Sequence, residues 1–144
     1  MGNLTADISF RPRARPKGVI VVAAFGFAGT AVALLSGAIL LWPGTRLDWL
    51  WRLNESAHAG FLTLGRGAAI LLFAVGVATF AAARGLVLGR RWGWRLAVAI
   101  FAVNVAGDLV RFLMGDWLKG AAGLLIGGGF LLYLLRPRVR HYFG

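Results

Sequence analysis

The chain has 144 residues, of which 59% are hydrophobic and 15% charged, and its sixteen basic and five acidic side chains give a formal net charge of +11. Soluble domains carry about 25% charged residues, so this composition is that of a membrane protein, with no room for a separate soluble domain. The chain has no cysteine, which excludes disulfides, thiolate metal sites and cysteine nucleophiles.

Four apolar runs predict an all-α, polytopic membrane protein: a bundle of four transmembrane helices. Each run is about as long as the roughly 20 residues that a helix needs to cross a bilayer. The first run follows a basic segment, as in a signal peptide, but it is longer than the about 7–15 residues of a signal core, so we expect it to be retained. The spans are expected at about 18–42, 59–83, 92–114 and 117–135, in a transmembrane domain over 18–135 with basic tails at 1–17 and 136–144.

The first outer loop, residues 43–58, predicts a short interfacial amphipathic helix on the membrane surface. Thr45 followed by Asp48 fits an N-cap with an acid in the first turn. Apolar residues then repeat at helical spacing opposite charged ones, and Trp49 and Trp51 suit the aromatic belt of the interface.

The basic residues concentrate on one side of the predicted membrane. The two tails and the turn at 84–95 hold eleven of the sixteen basic residues and one acid, Asp7, whereas the opposite side holds five basic residues and four acids. Because positively charged flanks face the cytoplasm, we expect both termini in the cytoplasm and the chain in the cell (inner) membrane. The lipid bilayer is the expected partner, and since topology explains the charge, we expect no nucleic-acid partner.

Polar side chains inside the predicted spans are the candidates for a functional site. Asn104, Asp108 and Arg111 are spaced four and then three residues apart, which places them on one face of the third span. Counted at about 1.5 Å per residue from the inner ends of their spans, Asp108 lies roughly 24 Å deep and Arg66 roughly 27 Å deep, both near the outer boundary. The candidate polar cluster at this outer end consists of Arg66, Asn104, Asp108, Arg111, Glu55 and His58.

Two interpretations of this cluster are open. Ionisable residues within spans indicate a site by default, here an anion clamp, a proton-relay carboxylate or a polar vestibule. The alternative is a structural pair of Asp108 with Arg111, plus an Arg66 side chain that snorkels to the interface, so that the cluster orients helices and binds nothing.

Small residues line one face of the first span and one face of the fourth. Small faces let helix backbones approach closely. We expect these faces to pack span one against span four, the alternative being the seam of a homo-oligomer. The residues are Gly26, Gly29, Ala33 and Gly37 in the first span and Gly120, Gly123 and Gly127 in the fourth.

No set of residues predicts an enzyme. The two histidines, His58 and His141, fall at opposite ends of the predicted bundle and so cannot ligate one haem. No cluster has the spacing of metal ligands, and no serine, histidine and acid can meet. We therefore expect no catalytic, cofactor-binding or metal-binding residues.

Two segments resemble parts of small, uncharacterised four-helix integral membrane proteins of bacteria and archaea. One is the turn rich in arginine and tryptophan at 90–97, just before the third span. The other is the closing segment 133–143, with its Arg-Pro-x-Val-Arg pattern at 136–140. The resemblance implies the four-helix fold and a prokaryotic plasma membrane, and it brings no activity or cofactor.

The expected role is structural or accessory, exerted through helix–helix contacts. The alternative is an oligomeric transporter or channel for a small solute, with the face of Asn104, Asp108 and Arg111 lining its polar path. Either role is compatible with a homo-oligomer or a larger membrane complex, and the sequence specifies no small-molecule ligand.

Overall fold

A computed structural model describes residues 16–42, 52 and 55–144, with the backbone alone for 55–58 and 62. The described chain is all-helical, as predicted, and four of its helices are long and apolar enough to cross a membrane. In chain order the helices are α1 Lys17–Leu41, α2 Glu55–Leu64, α3 Arg66–Val87, α4 Arg91–Leu113, α5 Trp117–Leu135 and α6 Pro137–Phe143.

The helix bounds agree with three of the predicted spans and differ at the second. α1 and α4 begin and end one residue before the expected bounds, and α5 coincides with them. The predicted span 59–83 is instead divided at Gly65 between α2 and α3. Gly65 has φ 56° and ψ −137°, a conformation that glycine adopts without steric cost and that ends a helix. Arg66 is therefore the first residue of a long helix rather than an interruption within one.

The predicted interfacial helix falls on the segment between α1 and α2. Residues 43–51, 53 and 54 lie outside the described residues, so that helix stays a prediction.

The four long helices form two close pairs. α1 packs along α3, and α4 packs along α5. α3 and α4 join the two pairs, whereas α1 and α5 make few contacts. The bundle is thus closed on three sides and nearly open on the fourth, between its first and last long helices.

The start of α1, the α3–α4 turn and the end of α5 lie together at one end of the bundle. Gly18 lies against the ring of Tyr133, and the indole Nε1 of Trp94 donates a hydrogen bond of 2.9 Å to the Leu134 carbonyl. We call this the basic end, and the end with Arg66 and Arg111 the opposite end. The basic end carries Lys17, Arg84, Arg90, Arg91, Arg95, Arg136, Arg138 and Arg140.

The α3–α4 and α4–α5 turns share one backbone design. After α3, the amides of Gly89 and Arg90 donate to the carbonyls of Leu86 and Gly85, at 3.1 and 2.8 Å. The amides of residues 115 and 116 make the equivalent bonds after α4, both at 3.2 Å. These are Schellman caps, which need a left-handed residue, and Gly89 (φ 65°) and Gly115 (φ 100°) supply it.

The prediction that the glycine faces of the first and fourth spans pack against each other is wrong. A Cβ built on Gly26 would lie 3.1 Å from Cβ of Ala83, so the α1 face serves the contact with α3. A Cβ on Gly120 would lie 2.7 Å from Cα of Phe112, so the α5 face serves the contact with α4. The small residues thus allow close approach within each pair, of α1 to α3 and of α4 to α5.

The buried core lies toward the basic end, where α6 folds back onto it. Pro137, which cannot continue α5, stands at the start of α6, a position that proline favours. Val139 and Phe143, four residues apart, are 2% and 5% exposed and belong to the same apolar cluster as Leu86 and Leu134. The sequence predicts only a basic tail for this segment.

Candidate functional site

The charged members of the predicted polar cluster lie at the opposite end of the bundle. Arg66 begins α3, Arg111 stands in the last turn of α4, and Asp108 lies one turn before it. Arg66 is exposed, whereas Asp108 and Arg111 are half-buried. The common depth of Arg66 and Asp108 inferred from helical rise agrees with this placement.

Asp108 points into the contact between α4 and α5. Its carboxylate occupies the space beside Gly123 that a side chain there would need, because a Cβ built on Gly123 would overlap both carboxylate oxygens. Gly123 belongs to the small face of α5 that the sequence analysis singled out. The glycine therefore makes room for a carboxylate, a role that helix–helix packing alone does not require.

The described charged side chains of the cluster, Arg66, Asp108 and Arg111, form no salt bridge with one another. In the described part of the chain, no ion pair joins Asp108 to Arg111 or to Arg66. The Asp108 carboxylate can accept hydrogen bonds from a cationic or polar group.

Asn104 lines a separate cavity in the middle of the bundle. This cavity, of about 210 Å³, lies between α1, α3 and α4 and has a mostly apolar lining that includes Phe25, Phe101 and Leu86. Its polar side chains are Thr79 and Asn104, and the Thr79 hydroxyl already donates to the carbonyl of Val75 at 2.8 Å. The Asn104 amide, with no hydrogen-bond partner among the described residues, is thus the polar group that this cavity offers a ligand.

The remaining two members of the predicted cluster are Glu55 and His58. Both lie in the first turns of α2, and their side chains fall outside the described ones. Their relation to Asp108 stays a prediction.

The described part of the chain has further concave surfaces that the sequence does not predict, and two of them are relevant to function. One is an apolar groove of about 460 Å³ between α1 and α5, lined by residues that include Val21, Leu125 and Gly129. The other is a polar pocket of about 330 Å³ at the basic end, between α4 and α6. The groove exists because α1 and α5 belong to different helix pairs, and the pocket exists because α6 folds back toward α4. Neither the pairing nor the fold-back is predicted from the sequence. Val139 and Phe143 are spaced by four residues, but two apolar residues in a segment of seven are too few to establish a helical period, so the sequence does not predict α6.

In the described part of the chain, no group of three or more histidine, aspartate or glutamate side chains could hold a metal ion. In comparisons with known proteins, no family model, no curated protein and no solved structure matches the chain. The arrangement of its own residues is therefore the basis on which a function can be argued.

Proposed function

We propose that this chain is a multi-pass protein of the cell membrane, of a structural or accessory type, that acts through helix–helix contacts within the bilayer. Both termini are placed in the cytoplasm, in keeping with the positive charge of the basic end. The proposal includes no catalytic step. The proposal includes a relationship to small four-helix proteins of prokaryotic membranes, which the segments 90–97 and 133–143 resemble.

The exposure of large apolar side chains supports membrane insertion. Leu125 is 77% exposed, Leu132 70% and Val103 72%, each in the interior of a long helix. Water would make such a surface an aggregation site, whereas lipid solvates it.

The observation that carries the helix-contact role is the groove between α1 and α5. These two helices stay apart over most of their length, although every other neighbouring pair of long helices packs closely. Gly129 lies in the groove, and an added Cβ there would meet nothing within 4 Å. In lipid, a groove with small residues lets a further helix approach closely, so we place a helix of a partner protein or of a second copy in it.

A matched pair of glycine variants tests this role. Gly129→Leu fills the groove, whereas Gly128→Leu adds the same side chain one residue away, outside the groove lining and also with nothing within 4 Å. We expect Gly129→Leu to disrupt association in native membranes and Gly128→Leu to preserve it, as measured by the size of the detergent-extracted complex. Equal complexes for both variants and the parent chain would contradict the proposal.

A second candidate function is that of an oligomeric transporter or channel for a small solute. It is favoured by the Asn104 amide in the cavity between α1, α3 and α4 and by the Asp108 carboxylate one turn farther along α4, which has no ion pair among the described residues. In a transporter, Asp108→Asn and Arg66→Ala should abolish flux into vesicles while leaving the protein folded. Flux that survives both substitutions would exclude this candidate.

A further inference from the structure

The pocket at the basic end is formed by two elements that meet there. The first turns of α4 supply Arg91, Trp94 and Arg95, and α6 supplies Arg140. The volume of the pocket is about 330 Å³. Three guanidinium groups therefore line one concave surface, rather than spreading over a convex one.

The walls of this pocket are held in place. Trp94 is fixed by the hydrogen bond from its indole Nε1 to the Leu134 carbonyl, at 2.9 Å. α6 is held by the burial of Val139 and Phe143, and the amide of Arg140 donates to the Arg136 carbonyl at 2.9 Å. The backbone of Arg140 is thus fixed opposite that of Arg91 and Arg95, so the cavity does not depend on a chance arrangement of long side chains.

Three guanidinium groups line the pocket with no aspartate or glutamate side chain among them, and Gly144, which carries the terminal carboxylate of this sequence, also lies in the lining. No aspartate or glutamate occurs between residues 56 and 107 or after 116, and none of the three arginines has an ion pair among the described residues. Arg91 and Arg95 also stand at the start of α4, whose first turn has no acid. Cations there face the positive end of the helix dipole, a repulsion that a bound anion would relieve.

From this arrangement we infer that the pocket binds a phosphate group, and specifically the headgroup phosphate of an anionic phospholipid. Guanidinium groups bind phosphate through paired, charge-assisted hydrogen bonds. The inference rests on the membrane insertion proposed above, which puts the basic end at the level of the headgroups, where basic pockets between helices recognise anionic lipids. The ligand would tie α6 to α4 and stabilise the basic end of the bundle.

The test uses the purified full chain in detergent and measures bound lipid by native mass spectrometry. The probes are dioleoyl phosphatidylglycerol, dioleoyl phosphatidylcholine with the same acyl chains, and soluble glycerol 3-phosphate. We expect phosphatidylglycerol to bind in preference to the other two. The double variant Arg91→Gln/Arg140→Gln should weaken that binding by about tenfold or more, the loss expected when hydrogen bonds to a charged group are removed.

The matched control is Arg136→Gln/Arg138→Gln, which removes the same charge from the same end but from residues outside the pocket lining. It should bind phosphatidylglycerol within about twofold of the parent chain, because diffuse attraction changes little with an exposed charge. Equal weakening in both double variants, equal binding of the two lipids, or equal binding of glycerol 3-phosphate would each overturn the inference. Circular dichroism verifies that both variants remain helical.

Membrane fractionation of cells that express the chain separates this inference from the function on which it rests. Chain found in the membrane fraction without a preference for phosphatidylglycerol would refute the lipid site alone. Chain absent from the membrane fraction would refute the proposed function as well.

Discussion

A Cβ built on Gly85 would stand 2.5 Å from Cα of Gly93, and Gly93 meets Gly85 in the same way. This pair is the crossing point of α3 and α4, where two backbones touch with no side chain between them. Glycine inside a helix costs about 1 kcal/mol relative to alanine. At Gly85 that cost is offset by close helix contact, whereas an added Cβ at Gly128 would meet nothing among the described residues, so no such contact offsets the cost there.

The two glycines should therefore respond to alanine with opposite signs. Gly85→Ala is expected to destabilise the bundle by about 1–3 kcal/mol, because the methyl group forces α3 and α4 apart. Gly128→Ala should stabilise α5 by up to about 1 kcal/mol. The measurement is the midpoint of thermal unfolding in one detergent, followed by tryptophan fluorescence. A lower midpoint for Gly128→Ala than for Gly85→Ala would contradict this account of the crossing.

The position of Asp108 could be predicted from the sequence, whereas its contact with Gly123 could not. The spacing of polar residues indicated the face of Asp108, and helical rise placed it at the right end. The partner of that face was not predictable, because it depends on which helices are neighbours. The small face of α5 was recognised from its glycines, but it packs on α4 rather than α1, and one of its glycines accommodates a carboxylate.

α6 is an element that exists only through its docking. A helix of seven residues is too short to be stable alone, and its charged residues Arg138 and Arg140 are exposed. Val139 and Phe143 supply the apolar contacts that hold it against the end of the bundle. α6 is thus one wall of the proposed phosphate pocket, and the burial of these two side chains holds it in place.

Truncation of one buried side chain should release α6 while leaving the long helices intact. Burial of a phenylalanine is worth about 3–5 kcal/mol, so Phe143→Ala should lower hydrogen-exchange protection of the Arg140 amide by about a hundredfold. Arg138→Ala, at an exposed site on the same helix, should leave that protection within about twofold. Unchanged exchange in Phe143→Ala would mean that docking does not hold α6.

The long helices were predictable because each coincides with a long apolar run in the sequence. The short helices have no such run and were not predictable from hydropathy. Apolar runs gave the bounds of α1, α4 and α5 within one residue. The break at Gly65 is a property of one backbone conformation, φ 56°, and it leaves the apolar pattern around it unchanged. α6 has too few residues for a periodic signal, and a basic, proline-containing segment resembles a tail until its two apolar residues meet a core.

On the scale of the whole molecule, the two helix pairs divide the surface into regions with different chemistry. The groove between α1 and α5 is apolar and faces sideways, where a neighbouring helix would lie. The basic end holds the pocket for which we propose a phosphate ligand, and the opposite end holds Arg66, Asp108 and Arg111. The two ends thus differ both in charge and in the side chains that they expose. In the proposed membrane orientation, each end faces a different compartment.

Reporter fusions test that orientation. The basic end carries eight of the basic residues that the structure describes, and positive flanks are retained in the cytoplasm. An alkaline phosphatase that is active only outside the cytoplasm should therefore be inactive when it is fused after Gly144 or after Gly89. It should be active after Gly115, in the turn at the opposite end. Activity after Gly144 would show that the topology is inverted and that the arginine pocket lies on the outer face. The cytoplasmic excess of anionic lipid, which favours the proposed headgroup site, is absent there.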